Sequence, residues 1–97
     1  MDPLARHRSL ELLEATHRFP CPYVFKAIGT AERAFAARVV AAVRDELGAS
    51  IDPPFKTRTT AGDRHVAVTV EPTLFQAEEV LDVYDRLATV AGLVMLF

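Results

Sequence analysis

The spacing of apolar and polar residues changes several times along the chain, and each change predicts a new element. Apolar side chains recur at helical spacing over residues 31–47 and again from Thr73 to about Val90, which predicts two amphipathic helices. Four shorter segments are rich in β-branched and aromatic residues or alternate with a period of two, and these predict strands: residues 23–28, 55–61, 64–71 and 93–97.

The hairpin in the middle of the chain is the most closely determined of these predictions. Gly62 and Asp63 form a pair suited to a two-residue turn with positive φ at the glycine. With that turn, three cross-strand pairs fall on one face: Phe55 with Val70, Thr57 with Val68, and Thr59 with Val66. Lys56 and Arg58 then lie on the opposite face, so the turn and the alternation support the same register.

Capping residues mark where the helices begin. Asp2 precedes a proline and predicts a short leading helix that ends near Thr16. Thr30 is a suitable cap for the first long helix, and Thr73 with Gln76 predicts a capping box for the second. Between the leading helix and the first strand, two prolines favour extended backbone over helix.

After the leading helix the predicted order is β-α-β-β-α-β, which is typical of the ferredoxin-like α+β sandwich. Right-handed crossovers place both long helices on one face of an antiparallel four-stranded sheet, with the first and last strands adjacent. We therefore expect residues 1–18 to form a helical extension and residues 19–97 to form the ferredoxin-like domain, with one sheet face uncovered.

Composition and charge argue against nucleic-acid and membrane partners for this chain. The chain has 97 residues, enough for one core, and a formal net charge of -2 that gives no overall attraction to polyanions. The strand over residues 64–71 offers no Phe, Tyr or Trp for base stacking on its open face, only His65, Ala67, Thr69 and Glu71, so we expect no nucleic-acid partner. A single cysteine, a charged amino terminus and no long apolar run predict a cytoplasmic protein without a membrane partner.

The residues that could carry chemistry do not form a recognisable catalytic or metal set. Cys21 follows His17 by four positions, but two ligands do not make a tetrahedral zinc site, and no acid at a recognisable spacing orients the histidine. We expect Cys21 to be a packing residue. The sequence thus predicts no catalytic residue, no metal, no cofactor and no enzyme activity.

The uncovered sheet face is the candidate binding surface. Strand parity places on it the charged residues Lys26, Lys56, Arg58 and Glu71. If Met95 points to the core, the apolar residues there are Val24, Ile28, Val94 and Leu96. An apolar patch surrounded by cations is rarely left exposed to solvent on a monomer. We expect it to be covered by the leading helix, by a second subunit, or by an anionic partner, in that order.

Three segments carry a resemblance to a known family: FPCPYVFKAIG, TTAGDRHVAVTV and LVMLF. Together they resemble the YbeD-like family of small bacterial proteins of unknown function, over about residues 12–97. The resemblance implies a fold similar to amino-acid-binding regulatory (ACT) domains and a role as a small regulator, linked in some members to lipoate metabolism. Family members usually carry Ser-Ser-Lys-Gly-Asn-Tyr at the hairpin, where this chain keeps Gly62 but lacks the lysine and tyrosine. Without a lysine at its turn, the hairpin is not a lipoyl carrier.

Two functions follow as hypotheses. The first is a non-enzymatic regulatory or adaptor protein that binds a protein partner through the open sheet face and the acidic second long helix. The second is an ACT-like sensor, in which a homodimer binds an amino-acid or acyl anion near Gly29 and Thr30, where a helix N-terminus favours negative charge.

Overall fold

A computed structural model describes residues 2–32, 34–60 and 62–97 of the protein. Among these residues the helices are α1 (Pro3–Thr16), α2 (Phe35–Glu46) and α3 (Ala77–Leu87). The strands are β1 (Cys21–Pro22), β2 (Phe25–Thr30), β3 (Phe55–Thr59), β4 (His65–Val70), β5 (Thr73–Leu74) and β6 (Leu93–Leu96). Within the described part of the chain, every helix is too short or too polar to cross a membrane.

The main sheet has four antiparallel strands in the order β3-β4-β2-β6. The first long strand therefore lies beside the last one, as the right-handed crossover rule predicts. With α2 and α3 in the connections and α1 leading, the predicted α+β, ferredoxin-like fold is confirmed. A second, two-stranded ladder joins β1 to β5, and the sequence pattern did not predict it because two residues carry no periodicity.

The hairpin register is confirmed. Thr57 lies opposite Val68 and Thr59 opposite Val66. The turn differs from the predicted two-residue type, because Thr60 donates its N–H to the carbonyl of His65 and Asp63 donates its N–H to the carbonyl of Thr60. Gly62, at φ 85°, and Asp63, at φ 55°, are both left-handed within this longer loop. Ala61, which the same register pairs with Arg64, lies outside the described residues.

Both long helices cover one face of this sheet. Their apolar stripes meet the central strands in a dry layer, and the residues buried there include Phe25, Val39, Val43, Val68, Val70, Val80 and Val83. Burying a side chain of this size stabilises the fold by about 1.5–3 kcal/mol. The valines of β4 thus face the helices, whereas the cations of the hairpin face away from them.

The helix layer leaves β3 exposed. Phe55 shares a face with buried Val70, yet its side chain is 51% exposed. All five residues of β3 are exposed. The alternation correctly predicts the face of each residue, but burial depends on how far the helix layer extends across the sheet.

Two helix starts also differ from the prediction. Thr30 does not cap α2, because it pairs with His65 as the last residue of β2. The helix begins four residues later than predicted, after Ala34 in a left-handed conformation at φ 57°. Likewise Thr73 belongs to β5, and the capping box of α3 is formed one turn later by Gln76 and Glu79.

Candidate functional site

The candidate site is the sheet face turned away from α2 and α3, called here the open face. Register places its cations in neighbouring rows. Lys26 and Lys56 lie on either side of Thr69, and Arg58 lies opposite Ala67. The three cations border one shallow groove of about 550 Å³, together with Val24, Thr57, Ala67 and Thr69. The structure thus brings together the basic residues that the sequence assigned to this face.

These cations have no carboxylate partner within the residues that the structure describes. The ion pairs seen among the described residues are made elsewhere, by arginines of the helices and a histidine of α1. Glu71 lies at the margin of the open face and lines a smaller adjoining depression of about 180 Å³ with Lys56. Lys26, Lys56 and Arg58 therefore present positive charge that an anionic group could approach.

The apolar half of the open face differs from the prediction. Met95 lies opposite Ile28 on the open face, whereas Leu96 lies opposite Ala27 and packs on the core. The reason is a register shift between Ile28 and Gly29, which leaves Val94 as the extra residue in β6. Phe97 exchanges two backbone hydrogen bonds with Lys26 and so follows the same alternation onto the open face.

Helix α1 does not cover the open face, contrary to the first of the three expected covers. It packs against α3, where Arg6 bonds Asp82 at 2.8 Å and approaches Asp85 at 3.7 Å. None of its residues is buried, and Leu13 is partly buried against the core. The acidic side of α3 is therefore in contact with a cation of α1. The open face is not in contact with α1.

Gly29 and Thr30, predicted as part of a ligand loop, have structural contacts of their own. An added Cβ on Gly29 would overlap the ring of Phe35, so only glycine leaves space for that ring. Thr30 donates its backbone N–H to Gly92. Binding of a ligand by these two residues stays a prediction.

Cys21 is partly buried in β1, where it pairs with Leu74, and the chain on either side of it contributes to an aromatic cluster. The ring of His17 lies 5.3 Å from Tyr23, and Tyr23 lies 5.0 Å from Phe25. Tyr84 meets Phe25 edge-on at 4.9 Å. Burial of Tyr84 raises its pKa well above the ordinary value, and a hydrogen bond with Tyr23 raises it further by a smaller amount. Within the described residues no group of three or more His, Cys, Asp and Glu side chains could hold a metal ion.

A second groove, of about 370 Å³, was missed by the sequence interpretation. It lies where the end of α2 meets the loop before β3, and exposed Ile51 and Phe75 contribute to its apolar lining. Arg44 borders it and bonds Asp45 and Asp52, and these hydrogen bonds raise the pKa of Arg44 above its ordinary value. The signal in the sequence was the presence of two apolar residues, Ile51 and Phe75, in loop segments. A search for periodic patterns does not detect isolated apolar residues in loops.

Comparison with known proteins agrees with the resemblance drawn from the sequence. A family model described as "Protein of unknown function (DUF493)" matches residues 14–97. A UPF0250 protein of Shewanella amazonensis is 30% identical over 74 residues, which cover 76% of this chain and 82% of the relative. A UPF0250 protein of Shewanella sp. strain ANA-3 is 30% identical over 82 residues, covering 84% and 86%. The chain therefore belongs to the DUF493 family, and the YbeD-like resemblance is confirmed.

Proposed function

We propose that this protein is a non-enzymatic adaptor that regulates a partner protein by binding it through the open face. The observation that carries the proposal is the group of three cations, Lys26, Lys56 and Arg58, which border one groove and lack ion pairs within the described residues. The connection to lipoate metabolism that the family resemblance implies stays a prediction.

The open face combines two properties that protein interfaces use. Ile28, Met95 and Phe97 supply apolar surface, and burying such surface contributes about 25 cal/mol per Å². The neighbouring cations supply charge complementarity, which selects partners and speeds association. Exposed cations contribute little to the stability of the free protein, so the fold itself gives no reason for their grouping.

The acidic helix, which the sequence also suggested as a contact surface, is a weaker candidate. Asp82 and Asp85 of α3 face Arg6 of α1. A cationic group of a partner would have to compete with Arg6 for these carboxylates. The adaptor proposal therefore concerns the open face alone.

The test compares the tagged full chain with two double variants as bait in a lysate of the source organism. Lys56→Glu/Arg58→Glu reverses charge on the open face, on two exposed residues whose change leaves the core intact. Arg8→Glu/Arg18→Glu is the matched control, since both arginines are exposed and the net charge changes by the same amount. We expect a stoichiometric partner that the control retains and the face variant loses.

The recovered partner is then purified and titrated against the wild-type chain at increasing salt. Affinity should fall as salt screens the cations, whose interactions extend about 8 Å at physiological ionic strength. A partner retained equally by both variants contradicts the proposal. A thermal-shift screen with amino acids, lipoate and octanoate tests the sensor hypothesis, because saturation at 100 times the dissociation constant stabilises a fold by about 2.7 kcal/mol.

A further inference from the structure

The outer edge of β3 is a row of backbone groups without partners. Thr60 donates its N–H to the carbonyl of His65, and Glu71 donates its N–H to the carbonyl of Pro54. Since bonding residues alternate along an antiparallel pair, Lys56 and Arg58 direct their backbone groups toward β4. Phe55, Thr57 and Thr59 therefore direct theirs outward, and within the described residues no backbone bond to those outward groups is made.

Nothing in the described part of the fold shields this edge. All five residues of β3 are exposed, and the strand is free of bulges in its pairing with β4. The opposite edge strand, β6, has only four residues and is interrupted by a register shift near Gly29. Bulges and short length protect β6 from further pairing, whereas β3 is a regular edge whose protection is limited to the charges of Lys56 and Arg58.

From this geometry we infer that β3 accepts an added strand from the partner, and that this strand carries acidic residues at alternate positions. The inference rests on the proposed adaptor function and specifies how the partner binds. An incoming strand would bond the outward groups of Phe55, Thr57 and Thr59. Its side chains on the open face would lie beside Lys56 and Arg58, where carboxylates are favoured and cations are excluded.

The same two cations argue against a second copy of the chain as the occupant. An isologous pair of β3 strands must be antiparallel and must join outward residues to outward residues. The two-fold axis of such a pair can pass through Lys56, Thr57 or Arg58. In each of these three registers a cation of one copy lies opposite a cation of the other. Like charges directly opposite each other destabilise a strand pair. These charges therefore disfavour pairing of two β3 strands and favour pairing of β3 with an acidic strand.

The binding test uses synthetic peptides with the full chain. The probe is a blocked seven-residue peptide that alternates Thr with Glu, and its matched control carries Lys in place of Glu. We expect the acidic peptide to slow hydrogen exchange at the outward amides of Phe55, Thr57 and Thr59, and the lysine peptide not to. Lys56→Glu/Arg58→Glu should weaken binding of the acidic peptide at least tenfold, whereas Arg8→Glu/Arg18→Glu should not.

A second measurement changes the probe and leaves the protein intact. Methylating alternate amide nitrogens of the acidic peptide removes the bonds of an added strand and retains its charge. Loss of binding supports the inference. Retained binding, or exchange protection elsewhere on the molecule, overturns it.

A variant separates this inference from the adaptor proposal itself. Thr57→Pro removes an outward N–H and leaves both cations and the bonds to β4 in place, and edge strands tolerate proline at such positions. With folding verified by circular dichroism, loss of the lysate partner supports strand addition. A partner retained by Thr57→Pro and lost by Lys56→Glu/Arg58→Glu overturns strand addition while the adaptor function stands. A partner retained by both variants overturns the adaptor function.

Discussion

At the residue scale, the ring of Phe35 explains why residue 29 is a glycine. Its backbone is ordinary strand, so it is not selected for a left-handed conformation; the space that a Cβ would need is filled by Phe35, which is buried. We expect Gly29→Ala to cost about 1–3 kcal/mol of unfolding free energy through overpacking.

The control for that change is a double-variant cycle measured by chemical denaturation. Phe35→Leu removes part of the ring that the new methyl group would meet. Gly29→Ala/Phe35→Leu should then be less destabilised than the two single changes added together, by about 0.5 kcal/mol or more. Additive single effects would show that Phe35 is not what excludes a side chain here.

Tyr84 predicts how stability depends on alkaline pH. Because burial raises its pKa in the folded protein, the unfolded chain ionises first, near the ordinary value of about 10. The stabilisation from the neutral phenol is therefore complete below pH about 10 and is lost as pH rises further. We expect Tyr84→Phe to lose less unfolding free energy than the wild type between pH 9 and 11. Parallel pH profiles for the two proteins would contradict this assignment.

At the element scale, the start of α3 depends on one carboxylate. Glu79 accepts hydrogen bonds from the backbone N–H groups of Phe75, at 2.6 Å, and Gln76, at 3.2 Å. We expect Glu79→Ala to cost about 0.5–2 kcal/mol of unfolding free energy. Its neighbour Glu78 is exposed in the same first turn, so Glu78→Ala loses a similar charge without those bonds and serves as the control. Equal losses in thermal denaturation would assign the effect to charge alone.

Elements were predictable from the sequence where two local signals agreed. The hairpin combined a turn pair with strict alternation, so its register and the face of Lys56 and Arg58 were correct. The last strand, LVMLF, is apolar at every position, so no polar residue marked its outer face and Met95 was assigned wrongly. The docking of α1 depends on Arg6 and Asp82, which are 76 positions apart, and no local pattern reports such a pair.

At the scale of the whole molecule, net charge is a poor guide to the surfaces. The chain carries a formal charge of -2, yet its open face is cationic. Arg6 of α1 pairs with Asp82 of α3, and Arg86 of α3 approaches Glu46 of α2 at 3.7 Å. Several charges of the helices are thus paired with one another, whereas Lys26, Lys56 and Arg58 of the sheet have no ion pair within the described residues.

That charge distribution leads to a prediction about assembly through the exposed edge. In a β3 pair centred on Thr57, residue 56 of one copy lies opposite residue 58 of the other, so the wild-type edges repel each other. Lys56→Glu would convert both contacts into opposite-charge pairs, and the double reversal Lys56→Glu/Arg58→Glu would restore repulsion with the sign inverted.

We therefore expect the single variant to dimerise and the double variant to behave like the wild type at this edge. Replacing two repulsive contacts by two attractive ones, at roughly 0.5 kcal/mol for each pair before and again after the change, amounts to about 2 kcal/mol. Association should therefore strengthen roughly 30-fold. Sedimentation equilibrium at low and high salt measures the effect, since screening should weaken the dimer. If the single and double reversals associate equally, charge on β3 does not control which strand this edge accepts.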